Sequence, residues 1–123
     1  MLLNSNKYVN FSPMKYIITY YSESVQESVE ALPKTLQAHY INLTDRMVSY
    51  GAYLGEPHTK ALGNGLFELR LKGSEGIARV FYCTLVNRRI VMLHSFIKKT
   101  QKTPPRELRI AENRLKEIKN ANA

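Results

Sequence analysis

Between Gly65 and Pro104, three strand-like segments carry Glu68, Arg70, Arg79, Lys98 and Lys99 among side chains that otherwise favour burial. Cations fixed on a sheet face are suited to anions. The planar guanidinium fork matches phosphate in particular, because it holds two oxygens at once and stabilises charge that accumulates during transfer. Arg70 and Arg79 fall on consecutive strand-like segments joined by a short turn. In the right register their side chains meet across the ladder at strand spacing, about 5 Å. Two like charges that close require an anion or an acid. Glu68, two residues from Arg70 on the same strand face, is such an acid. The group therefore reads either as a structural ion pair or as a phosphate site, and spacing alone leaves both open.

Lys98 and Lys99 fall where the last strand-like segment ends, followed by Thr100, Gln101 and Lys102. Strand ends and their loops are where a rigid sheet presents functional groups, although an ordinary basic loop has the same composition. His94 shares a strand face with Phe96 and Lys98 and titrates in the range suited to proton transfer. A histidine between Leu93 and Phe96 also fits a partly buried structural role. His58, in the loop from Glu56 to Lys60, carries less of the proton-transfer case than His94. Other chemistries have little support. One cysteine and the scattered His39, His58 and His94 make no zinc spacing, and Asp45 is the only aspartate. There is no Walker-type phosphate loop and no nucleophile elbow. The residues point to no metal and no cofactor.

The charge distribution agrees with an anionic partner. Residues 1–54 hold four Lys/Arg and four Asp/Glu, whereas residues 55–123 hold fourteen and six, so the whole formal +8 comes from the second half. A basic half on a neutral one suits a polyanion, and it also suits a solvated surface that aids solubility. At 123 residues the chain is expected to form one domain that buries roughly two-thirds of its extended-chain surface. Cys83, on one side of a strand, reads as a small buried side chain, and a lone cysteine fits a reducing cytoplasm. No run approaches the roughly 20 apolar residues of a membrane span. Residues 1–13 read as a loose leader lacking the apolar middle of a secretory signal. The domain is expected over residues 14–123, with Met14 a possible alternative start.

The elements that must position these residues follow from periodicity. Lys15 to Tyr21 is strand-like. Ser22 or Ser24 then caps a helix whose acidic residues Glu23, Glu27 and Glu30 suit its positive end and whose face is Val25, Val29 and Leu32. Pro33 opens a second helix, with Leu36, Tyr40, Leu43, Met47 and Tyr50 at spacings of four, three, four and three; Gly51 or Gly55 ends it before Glu56-Pro57. Gly63 to Gly65 turns into the strand Leu66 to Lys72, followed after Gly73 to Gly76 by Ile77 to Val86 and after Asn87-Arg88 by Ile90 to Ile97. Thr103 before Pro104 and Pro105 signals a last helix that packs through Leu108, Ala111, Leu115 and Ile118. The reading is an α+β fold in the order β, α, α, β, β, β, α. An N-terminal strand joins a three-strand meander, packed against two N-terminal helices, with a C-terminal helix.

The motifs GLFELR (Gly65 to Arg70), GIARVFY (Gly76 to Tyr82) and IVMLHSFIKKTQKTP (Ile90 to Pro104), in this order, resemble the phage-derived branch of the RelE/HigB toxin superfamily. The likeness extends more weakly over the helices, from Met14 onward. It implies a RelE-like fold and a toxin of a type II toxin–antitoxin module that cleaves messenger RNA at the ribosome as an mRNA interferase. It also implies a cognate antitoxin, in this branch often a small helix-turn-helix protein. Carried over by motif, it points to Arg79 in R-V-F-Y, Arg70 in E-L-R, and Lys98 and Lys99 in F-x-K-K. The segment after Lys99 has no tyrosine to stand for the catalytic tyrosine of the best-known RelE pattern.

The expected reaction is metal-independent endoribonuclease cleavage, in which the substrate's own 2′-hydroxyl attacks the adjacent phosphate. It requires positioning, charge stabilisation and proton transfer but no protein nucleophile. The catalytic set is then Arg79 and Arg70 for developing charge, Lys98 and Lys99 for backbone and leaving group, and Glu68 or His94 as base. Lys72, Lys102 and Arg106 are expected to bind RNA. The competing readings are a binder of RNA or the ribosome that does not cut, and a protein of this fold whose basic face only binds an antitoxin or another acidic partner chain.

Overall fold

The structure, a computed structural model, describes residues 15–122; the leader read over residues 1–13 and the start at Met14 lie outside them. The chain runs β1 (Ile17–Tyr20), α1 (Glu23–Glu30), α2 (Lys34–Tyr50), β2 (Thr59–Gly63), β3 (Leu66–Gly73), β4 (Gly76–Leu85), β5 (Arg89–Ile97) and α3 (Pro105–Ala121). The five strands form one mixed sheet in the order β1-β5-β4-β3-β2. Four of them make an antiparallel meander, and β1 joins it in parallel to β5.

Helices cover both faces, which explains why the central strands are buried on both sides rather than alternating. On one face α1 and α2 bury Val25, Val29, Leu36, Leu43 and Met47 against Leu69, Leu71, Val80 and Met92. On the other, α3 lays Ala111 and Leu115 over Leu66, Phe81, Cys83, Val91 and Leu93. Truncating a fully buried leucine such as Leu36 to alanine costs about 2–5 kcal/mol in cores of this kind.

Local signals were followed in most places. Ser22 caps α1, its side chain accepting from the Val25 amide at 3.3 Å. Gly51, with φ of +118°, closes α2 in a conformation that disfavours any side chain. Three expectations are corrected. The loop expected through Lys60 is instead the start of β2, an edge strand paired with β3, so the meander has four strands. Tyr50 continues the helical spacing of α2 but is 84% exposed, because the last turn runs past the core. Thr103 does not cap α3. Pro104 holds the N-cap position and Pro105 the first turn, while the Thr103 hydroxyl turns to Glu68 Oε2 at 3.5 Å.

The start of α2 is capped from a distance. Pro33 offers no side-chain acceptor, and Glu75, in the β3–β4 turn, accepts from the Thr35 amide at 2.8 Å while its own amide donates to Thr35 Oγ1 at 3.2 Å. Gly73 makes this approach possible, since a Cβ there would lie 2.5 Å from Thr35 Oγ1.

A bulge in β5 sets the phase of the site. Phe81 pairs with His94 and Tyr82 with Met92, which leaves Leu93 as the extra residue. Leu93 packs into the α3-side core and His94 reaches Glu107 of α3, so both point to that face. Arg114 of α3 donates to the Leu93 carbonyl at 2.8 Å. Beyond the bulge the alternation is reset, and Phe96 lands opposite Arg79.

Candidate functional site

The ladder places the charged residues in rows across the α3-side face. Arg70 stands directly opposite Arg79, and Arg79 opposite Phe96. One step along, Glu68 faces Phe81, which faces His94. One step the other way, Lys72 faces Ile77, whose carbonyl accepts from the Lys98 amide at 2.8 Å. Residues opposite one another in a ladder share a face, so the registers bring together Glu68, Arg70, Lys72, Arg79 and His94, with Lys98 at the rim.

Glu68 is the hub. It is 4% exposed; its Oε1 accepts from Arg70 Nε at 3.0 Å and lies 3.7 Å from Arg79 Nε. One carboxylate therefore holds two guanidinium groups that would otherwise repel. Burial pushes the Arg79 pKa down, the Glu68 carboxylate acts against that, and Arg70 adds to the lowering. Arg79 also donates to the Ala78 carbonyl at 3.2 Å, and Arg70 Nη1 lies 3.9 Å from the exposed Glu56 carboxylate. The ion pair considered in the sequence is thus present, and it fixes both guanidinium forks beside one carboxylate.

His94 and the loop beyond β5 are placed differently. His94 Nε2 lies 2.6 Å from Glu107 Oε1, and its ring stacks on Phe96 with centroids 6.1 Å apart. Lys98 Nζ donates to the Gln101 carbonyl. Lys99 and Lys102 are exposed in the same loop, and Arg106 is exposed in the first turn of α3.

A cavity of about 340 Å³ opens beside the arginines, where β2 has not yet joined the sheet. Arg70, Lys72 and Arg79 converge on it, together with His39 of α2 and His58 of the segment leading into β2. Pro57 and Ile77 supply apolar wall. The two histidines secure the bare edge of β3: the His58 carbonyl accepts from the Arg70 amide at 2.8 Å, and His39 Nδ1 accepts from the Lys72 amide at 2.9 Å. Their rings meet edge to face with centroids 6.3 Å apart. Burial holds the His39 pKa below the usual histidine range, and the neighbouring His58 and Arg46 add to that lowering. His94, Lys98 and Lys99 do not line this cavity.

Sequence reasoning set His58 below His94 for proton transfer and did not single out His39 as a site residue. Thirty-three residues separate His39 from Lys72, and only the register of β3 against α2 brings them together. A larger cleft, about 560 Å³, lies between the β2–β3 hairpin and α3, lined by Leu62, Leu66 and Leu108 with Lys116 and Lys119 at its border. The smaller cavity is the better candidate for chemistry, because titratable and cationic groups converge there. Among the described residues, no group of three or more His, Cys, Asp or Glu side chains is placed to hold a metal ion. No helix among them is long and apolar enough to cross a membrane.

A five-stranded mixed sheet with three helices on its two faces makes a small RelE-like α+β fold. The chain belongs to the phage-derived, Gp49-like protein family (DUF891), whose model matches residues 27–116. This is a RelE-like family associated with toxin–antitoxin modules. A comparison with curated proteins gave no match.

Proposed function

We propose that the protein is the toxin of a type II toxin–antitoxin module and acts as a metal-independent endoribonuclease on messages being translated at the ribosome. The observation that carries the reading is the Arg70–Arg79 pair, set opposite one another and opening on a cationic cavity. Family membership supports the module and its antitoxin partner, for which a small helix-turn-helix protein is the expected form. In this reading Arg70 and Arg79 take the charge that develops on the phosphorane, and Glu68 holds both forks in place. Lys72, Lys98 and Lys99 bind the RNA backbone, and Lys102 and Arg106 extend the basic surface beyond the last strand. Glu68 and His94, the proton-transfer candidates of the sequence, are each engaged within the fold, by the two arginines and by Glu107.

A reconstituted translation reaction programmed with one defined message tests this reading. Purified protein is expected to cut within translated codons, and Arg79→Ala to lower the rate by about 10²–10³, the usual loss for one charge-stabilising donor. Intact message with normal translation would overturn it. One observation favours a second reading, a binder that does not cut: Glu68 already offsets part of the arginine charge. That protein would stall translation without products, and its affinity would fall steeply with salt.

A further inference from the structure

We infer that His58 is the proton-transferring residue of the cavity and that His39 positions it, an assignment that rests on the nuclease reading above and deepens it. The ladder carries the argument. Thr59 pairs with Leu69, and the next bond along is from the Arg70 amide to the His58 carbonyl. His58 therefore continues the row that runs through Arg70 to Arg79. Direct neighbours in such a row stand about 5 Å apart, a separation that fits one phosphate and the ribose attached to it. Pro57 and Ile77 give that ribose an apolar surface to rest on.

His39 is fixed rather than free. Its Nδ1 accepts from the Lys72 amide, so that nitrogen carries no proton and the neutral ring holds its hydrogen on Nε2. The ring meets His58 edge to face. His58 shares the cavity with His39 on α2, Arg70 and Lys72 on β3 and Arg79 on β4; of the carboxylates, Glu56 lies 3.9 Å from Arg70, and Glu68 holds Arg70 and Arg79. An imidazole seated in the same cavity as the two arginines is in the place where a proton must be taken from the substrate.

In the step itself, neutral His58 takes the proton of the 2′-hydroxyl as O2′ attacks phosphorus. The O2′–P bond forms, the P–O5′ bond breaks, and the departing 5′-oxygen takes a proton from water. The imidazolium then returns its proton to solvent, which leaves a cyclic phosphate, a free 5′-hydroxyl and the protein unchanged. Arg70 and Arg79 hold the phosphate throughout.

The chain has three histidines, so each ring signal can be assigned with one variant. A 2′-O-methyl RNA trinucleotide, which cannot be cut by this route, is titrated into the full chain and followed by NMR of the imidazole rings. The His58 and His39 signals are expected to move and the His94 signal to stay; movement of His94 with His58 unmoved overturns the assignment. In cleavage assays His58→Gln is expected to lower kcat by about 10²–10⁴ and to remove the acid limb of the pH profile. Trinucleotide affinity should stay within threefold. If Arg79→Ala is inactive but His58→Gln cuts with the wild-type rate and profile, the assignment to His58 fails while the nuclease reading stands. A wild-type protein that binds RNA without cutting removes both.

Discussion

Arg70 and Arg79 are direct partners in the β3–β4 ladder and pair with one carboxylate oxygen, the Oε1 atom of Glu68. The acid between them lowers their mutual repulsion, and both arginines still line the neighbouring cavity, where the proposed function places the phosphate.

Glu68→Gln should therefore destabilise the fold by about 1–3 kcal/mol, the cost of leaving hydrogen-bonded charges without their partner. Urea unfolding measures it. Adding phosphate should recover more stability in Glu68→Gln than in wild type, because the added anion replaces the lost one. A double variant with Arg79→Ala should lose less than the sum of the single changes. Additive losses would show that the carboxylate does not couple the arginines.

The distant cap of α2 makes a separate prediction. Glu75→Ala removes the acceptor for the Thr35 amide and should cost about 1 kcal/mol, as the loss of an N-terminal cap does. Gly73→Ala drives a methyl group into Thr35 and should cost about 1–3 kcal/mol by overpacking. Thermal unfolding of both variants checks the pair, and a neutral Gly73→Ala would show that the turn can move away from α2.

Stability should depend on pH through His39. Burial holds its folded-state pKa below the unfolded value, so at low pH the unfolded chain binds the proton more readily than the native one. The stabilisation is present above the unfolded pKa, about 6.5, and is lost as pH falls through that value toward the lower folded pKa. His39→Asn keeps an acceptor for the Lys72 amide and removes the titration. Denaturant midpoints between pH 5 and 7.5 should rise with pH in wild type and rise less in the variant.

Cys83 is expected to be inert in the native state. It is 1% exposed, and burial pushes its thiol pKa up to about 11, against a smaller lowering by Lys119. At pH 8 a disulfide-exchange reagent should label it only as fast as the protein unfolds. Rapid labelling of the folded protein would mean that α3 opens readily from the sheet.

The helices and the three long strands could be read from the sequence because burial dictates their periodicity: Leu36, Tyr40, Leu43 and Met47 recur on one side of α2 and are all buried. The cross-strand meeting of the arginines was conditional on register, and the register turned out to favour it. β2 was missed for a physical reason. Of its five residues only Thr59 is buried, and Lys60, Ala61 and Gly63 carry no alternating apolar signal, as is common where an edge strand faces solvent. Tyr50 shows the opposite failure, a periodic position beyond the end of what it should cover. His39 and His58 could not be found from spacing, since α2, the approach to β2 and the bare end of β3 meet only in the folded chain.

The parallel pairing of β1 with β5 bears on the order of assembly. The hairpins of the meander close short loops, Gly73 with Gly76 and Leu85 with Arg89, whereas Thr19 bonds to the Ile90 carbonyl across 71 positions of chain. Closing the longer loop costs more entropy and slows that contact. During synthesis the first strand is made early and finds its neighbour late. A chain halted before β5 can already hold the arginine hairpin, yet β1 has nowhere to dock.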